Sequence, residues 1–153
     1  MHPTNIIYTH LMFSKQESKA LRKEFWISFG KSFPRKWILY NTKIKDFSFK
    51  FHFDTKKAIV ALDIENPDLE RRIHYYKKMQ SLQNILVENY LPEAIFHDTY
   101  FLENDKEISR IYVQKDGVCI HNKDTWQEAM VFLNDNMTKF EEFYMDFQDV
   151  IKS

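Results

Sequence analysis

A single cysteine in 153 residues excludes an intrachain disulfide, a structural zinc finger and an iron–sulfur cluster, each of which needs several thiolates. Two glycines exclude the glycine-rich phosphate loops, whose backbone needs several residues free of a Cβ. Net charge is absent as well: 22 Lys and Arg balance 22 Asp and Glu, so the chain as a whole exerts no long-range pull on nucleic acid. No apolar run approaches the roughly 20 residues that cross a bilayer. Residues 1–13 carry no Lys or Arg, and Tyr8, Thr9 and His10 break their apolar run, which makes a poor signal peptide. A lone Cys119 without an export signal leads to an expectation of the cytoplasm, and its Val-Cys-Ile setting to a buried structural thiol.

What is present is a globular composition, 44% hydrophobic and 29% charged, of a length that suits one domain. Aromatic residues reach 16%. Charge is segregated: residues 1–57 hold 12 basic and 4 acidic side chains, net +8, and residues 58–153 hold 10 and 18, net −8. A basic half can meet nucleic acid or an acidic partner; the plainer reading is that the halves pack together and neutralise each other.

Periodicity sets the element order. Ser14 to Glu17 is a capping box, and Leu21, Phe25, Phe29 and Phe33 follow at steps of four with Trp26 beside them, a helix that Pro34 stops. Residues 36–41 (KWILYN) read as a strand after a loop of only Pro34-Arg35. Residues 47–53 (FSFKFHF) alternate without error, which puts Phe47, Phe49, Phe51 and Phe53 on one face and Ser48, Lys50 and His52 on the other. Residues 57–64 (KAIVALDI) are apolar on both faces and read as a central strand, completing a three-stranded antiparallel meander. Asn66-Pro67-Asp68 starts a helix of about 25 residues lined by Leu69, Ile73, Tyr76, Met79, Leu82, Leu86 and Tyr90. Residues 95–102 and 107–113 pair as a hairpin, Asp116-Gly117 turns the chain, and residues 118–120 are expected to add a short edge strand. From Asp124, with Gln127 as its box partner, Trp126, Met130, Leu133, Met137, Phe140, Tyr144, Phe147 and Ile151 make a heptad-like seam. Asn134-Asp135-Asn136 is expected to kink or divide that helix. The seam reads as core covering a sheet; the alternative is a homodimer, or another protein partner, through this helix. The fold class is α+β: helix, three-strand meander, long helix, two-strand hairpin and C-terminal helix, with the helices on the phenylalanine face of the sheet.

The runs Glu24-Phe25-Trp26 with Phe29-Gly30, Tyr40 to Lys43, Phe49 to Asp54 with Lys56-Lys57-Ala58, Glu107 to Tyr112, and Asn122 to Trp126 resemble a bacterial family, domain of unknown function 4268. The resemblance covers residues 12–150. It implies no catalytic residues and, because relatives occur fused behind nuclease-like domains, a loose link to nucleic acid. Relatives tend to have a longer loop before the first strand, a proline near 134–136, and a start near Met12. Residues 1–11 are therefore expected to be an N-terminal extension and residues 12–153 the domain.

Three constellations bear chemistry. Lys50, His52, Arg110 and Tyr112 form an anion-accepting patch with an aromatic platform if their strand faces coincide; the competing reading pairs Arg110 with Asp63 or Asp98 inside the sheet. The element order also matches a restriction-endonuclease-like core, with Asp46 or Asp54 as first acid and Asp63-Ile64-Glu65 on the third strand. The lysine that should follow is missing, since Asn66 stands next, so that motif is degenerate. Of six histidines (His2, His10, His52, His74, His97, His121) none are spaced i,i+4 on a helix, and no metal or cofactor is implied. Arg35, Lys36, Lys43, Lys45, Lys50, Lys56 and Lys57 make residues 35–57 the best nucleic-acid feature, or else a solvated edge that resists strand pairing. The function read from these residues is a non-catalytic binding or accessory module contacting its ligand through Lys50, His52, Arg110 and Tyr112, with Trp26 and Trp126 as core anchors. The alternative is a nucleic-acid-associated protein with a degenerate nuclease-like core.

Overall fold

A computed structural model describes residues 13–153; the expectations about Met12 and residues 1–11 lie outside the described residues. Ser14 caps α1 (Lys15–Ser32) by accepting from the Glu17 N–H at 3.0 Å, as its capping box requires. The strands β1 (Phe47–Phe53), β2 (Lys57–Ile64), β3 (Ile95–Phe101) and β4 (Glu107–Asp116) form an antiparallel sheet in the order β1-β2-β4-β3. Helices α2 (Leu69–Ser81), α3 (Gln83–Asn89) and α4 (Trp126–Lys152) complete the described elements, with a 3₁₀ turn at Lys123–Thr125 before α4. The α+β class and the helices on the phenylalanine face are as the periodicity implies.

The core lies between that face and the helices. Phe47, Phe49 and Phe53 are buried, and their rings meet Tyr75 and Tyr144, Phe140, and Phe25 respectively. Phe51 is half-buried against Trp26, Phe29 and Trp37. Trp126 is buried and donates its indole N–H to the Ile120 carbonyl at 2.9 Å, whereas Trp26 is half-buried. β2 is central and buried over Ala58–Ile64, as its two-faced apolarity indicates.

Several expected elements differ. Residues 36–41 are not a strand: the chain from 33 to 46 is a long irregular loop, so the connection is not cut to Pro34-Arg35. Buried Glu141 of α4 draws this segment away from the sheet, accepting from the Ile38 N–H at 2.6 Å and from Arg35 at 2.9 Å. Leu39, at φ +46°, then turns the chain, and its carbonyl takes the Phe49 N–H as the one backbone bond to β1. With that strand gone, the partner of β2 on its other side is β4, giving one four-stranded sheet rather than a separate meander and hairpin.

The helix expected after Asn66 is capped by Asp68 and divided at Leu82 into α2 and α3. The Ser81 hydroxyl takes the Lys78 carbonyl at 2.6 Å, the acceptor that the Leu82 N–H would use, and Leu82 bonds Met79 instead. Its buried face also differs: Leu69 and Ile73 are exposed, and Arg72 is buried where it pairs with Glu107 at 2.7 Å. Conversely, α4 runs through Asn134-Asp135-Asn136 uninterrupted. Three poor helix formers cost a few tenths of a kcal/mol each, against about 1.5–3 kcal/mol for each of Met130, Leu133, Met137 and Phe140 buried along the same helix. Residues 118–120 form no strand; Val118 and Ile120 are buried plugs, and half-buried Cys119 exchanges backbone bonds with the Thr125 hydroxyl. The α4 seam faces the protein's own sheet, so a homodimer through it would have to unpack the core.

Gly30 is an exposed position inside α1, and a Cβ there would meet nothing within 4 Å. Gly30→Ala is expected to raise the unfolding free energy by about 0.5–1 kcal/mol in urea denaturation, through restriction of the unfolded chain alone. A loss of stability would mean that this stretch is not helical.

Candidate functional site

Register decides which polar groups share the face of the sheet opposite the helices. Lys50 lies opposite Ala61, which lies opposite Tyr112; Ser48, Asp63, Arg110 and His97 form the neighbouring row. His52, Ile59 and Gln114 form the next. Lys50, His52, Arg110 and Tyr112 are therefore on one face.

Their charges are largely committed to one another. Asp63 and Arg110 are direct cross-strand partners, both buried, joined by a two-pronged pair at 2.7 and 2.9 Å, so Arg110 pairs with Asp63 and not with Asp98. The Arg110 guanidinium also lies over the Tyr100 ring, 4.4 Å from its centroid. Lys50 bridges Glu65 at 2.6 Å and Asp63 at 3.4 Å, and Lys106 reaches Glu65 at 3.2 Å. His52 bonds Asp54 at 2.7 Å. Burial acts to raise the Asp54 and Glu65 carboxyl pKa values, but His52 and the Lys56 and Lys57 N–H groups outweigh it at Asp54, and Lys50 and Lys106 at Glu65; both stay below the ordinary carboxylate range. Glu141 goes the other way, since burial outweighs Ile38 and Arg35. Tyr112 is buried with Ile59 and Ala61, and half-buried Tyr100 covers them, a second small apolar cluster on a face that no helix contacts among the described residues.

Of the degenerate nuclease acids, Asp63 has both oxygens on Arg110, Glu65 is held by two lysines, and Asp54 by His52. Among the described residues no group of three His, Cys, Asp or Glu side chains is placed to hold a metal ion.

Three surface concavities surround β1. One of about 370 Å³ lies on the open face between His52, Lys57, Arg110 and the 100–104 segment. A second, about 440 Å³, adjoins it past His52 and Asp54 and reaches Ser18, Arg22, Trp26 and His121. There the Ser18 hydroxyl meets His121 Nε2 at 3.0 Å, and Phe13 stacks on the His121 ring. The third, about 280 Å³, runs along the edge of β1 between Trp26, Phe51, Leu39 and Tyr40, the last of these 74% exposed. Sequence reasoning missed Ser18, Arg22, Tyr100 and the Trp26–Tyr40 groove, because their contacts join segments far apart in the chain. Within β1 the alternation was the one signal that pointed toward them.

Asp63→Asn leaves the Arg110 charge buried without its counter-ion and is expected to cost about 3–5 kcal/mol in urea denaturation at neutral pH, most of it recovered in Asp63→Leu with Arg110→Met. A double variant as unstable as the single one would contradict the pairing. Because the Asp54 and Glu65 pKa values are lowered on folding, their contribution is complete above the ordinary values of 3.8 and 4.5 and is lost as pH falls through the lower folded values. Glu141 opposes this trend, so the comparison is internal: Lys50→Met is expected to flatten the loss of stability with falling pH, and an unchanged slope would show that Glu65 is not held by Lys50.

No helix among the described residues is long and apolar enough to cross a membrane. No curated protein and no solved structure matches the chain. A family model matches residues 21–148, a span that holds most of α1, the whole sheet and nearly all of α4, and the chain belongs to that family, domain of unknown function 4268 (DUF4268).

Proposed function

We propose that this protein is a binding or accessory module that works without catalysis, its ligand surface centred on β1. The observation that supports this reading is the contrast between committed and uncommitted groups. The ionisable side chains gathered by the sheet are tied to one another, Arg110 to Asp63, Lys50 to Glu65 and His52 to Asp54. The accessible concavities, which His52, Asp54 and Arg110 also line, add aromatic rings together with Arg22 and Lys57, and these two cations make no ion pair among the described residues. In this reading Lys50 and His52 are the residues that an anionic group on the open face would draw from their carboxylates, while Arg110 and Tyr112 give that face its shape. A cytoplasmic setting belongs to the same reading and rests on the lone Cys119.

The second reading, association with nucleic acid through residues 35–57, has its own support. Lys36, Lys43, Lys45 and Lys56 are exposed and make no ion pair among the described residues, and the exposed Tyr40 ring stands between the first two in sequence. Fluorescence titration of a short duplex and a single-stranded oligonucleotide at several salt concentrations separates the two. The first reading predicts binding no tighter than the non-specific range, about 10⁻⁴–10⁻⁶ M at physiological salt, and only further weakened when all four lysines are replaced by Glu. Tighter binding that falls steeply with salt and vanishes in that variant would replace it with the second.

A further inference from the structure

The two edge strands of the sheet are unlike. β3 is interrupted by a register shift between His97 and Tyr100, and the exposed carboxylates of Asp98, Glu103 and Asp105 accompany it. Irregularity and charge of this kind block strand addition. β1 pairs with β2 in unbroken register. The Glu65 N–H donates to the Asp46 carbonyl, and the Asp54 N–H to the Lys57 carbonyl, so the even-numbered residues of β1 exchange bonds with β2. The backbone groups of Phe47, Phe49 and Phe51 therefore point away from the sheet. Two of these are occupied: the Phe47 carbonyl by the Thr42 hydroxyl at 2.6 Å, and the Phe49 N–H by the Leu39 carbonyl at 3.0 Å. The outward N–H and C=O of Phe51 have no partner among the described residues. The 38–42 segment thus begins to cover β1 and leaves it at Leu39, and the edge groove opens where that cover stops.

We propose that this stretch of β1 is a docking edge for an extended acidic segment of a partner protein, which adds beside Phe51 as a further strand. The inference rests on the binding-module reading and names its partner. A paired donor and acceptor on one strand residue is the template for a peptide backbone, and the rings of Trp26, Phe51 and Tyr40 accept its alternate side chains. The sign of the partner follows from charge. Among the residues that line the groove Lys50 is the charged one and none is a carboxylate. Arg22, which shares the adjoining concavity with Asp54 and Glu103, and Lys43 and Lys45, which follow Tyr40 in sequence, are exposed and make no ion pair among the described residues. A nucleic acid would use the same rings and cations, and its phosphates accept from backbone amides, but it has no peptide backbone to pair with the Phe51 N–H and C=O together.

The test selects random dodecapeptides from a display library on the full chain, then follows backbone amide exchange by NMR as selected synthetic peptides are added. Enriched peptides are expected to be net negative with apolar residues at alternate positions. Their binding is expected to slow exchange at the Phe51 amide by about tenfold or more, and to weaken by about fivefold or more in Lys43→Glu with Lys45→Glu, a loss of roughly 1 kcal/mol. Failure to enrich any peptide, enrichment of basic peptides, or binding that leaves Phe51 exchange unchanged overturns the proposal. So does a Phe51 amide already protected in the free chain, which would mean that another part of the chain or a second copy fills the edge. An oligodeoxythymidine serves as the second arm. Peptides that bind without protecting Phe51 remove this edge and leave a binding module; an oligonucleotide that binds where no peptide does replaces both with the nucleic-acid reading; if neither binds, both fall.

Discussion

The buried pair of Asp63 and Arg110 is the constraint on which the open face of the sheet depends. Asp63 is fully buried in the central strand, with Arg110 directly opposite it on β4 and Lys50 at 3.4 Å as its second cation. Removing one charge strands the other away from water, which is far costlier than the pair itself is favourable. The pair therefore specifies register more than it adds stability. A slip of β4 by one residue would place Ile111 against Asp63 and turn Arg110 into the helix-covered core. Tyr100 closes over the guanidinium, and the Lys50–Glu65–Lys106 chain continues the same lattice toward the β1 edge.

The other face is governed by rings. The alternating phenylalanines of β1 place aromatic surface under α1 and α4, and the contacts are mostly edge-to-face or tilted, the arrangements that aromatic quadrupoles favour. Tyr144 illustrates how polar ends are accommodated there. Its hydroxyl donates to the Thr42 carbonyl, and burial above all pushes its pKa up to about 12, so it stays a donor and ties α4 to the 33–46 loop. Glu141, one turn earlier, ties the same loop through Ile38 and Arg35. Two contacts from one helix thus shape the irregular segment that borders the groove.

The alternation of residues 47–53 was legible because period two leaves no other assignment, and so was the shared face of Lys50, His52, Arg110 and Tyr112, which needs only parity and an antiparallel pairing. The α4 seam was legible as core from its steps of three and four, which gather the apolar side chains on one side of a helix. The loop at 33–46 was not: KWILYN has the composition of a strand, and what prevents one is a carboxylate on Glu141 about a hundred residues away. Nor was the break at Leu82, where one serine hydroxyl competes for one carbonyl. Asn134-Asp135-Asn136 misled in the opposite direction, since local propensity is small beside the burial it opposes. In the candidate site, sequence offered Asp63 or Asp98 as the partner of Arg110 but no counter-ion for Lys50 or His52, and only Glu65 and Asp54 show that the face is largely self-neutralised.

That self-neutralisation of the charged face is the central claim. Its most direct measurement is the Arg110 Nε–H resonance in ¹⁵N-resolved NMR at neutral pH. A guanidinium locked to Asp63 gives a slowly exchanging Nε–H signal that is lost in Asp63→Asn and does not shift when inorganic phosphate is added. A rapidly exchanging signal, or one that moves with phosphate, would show an arginine free to take a ligand and would contradict the account.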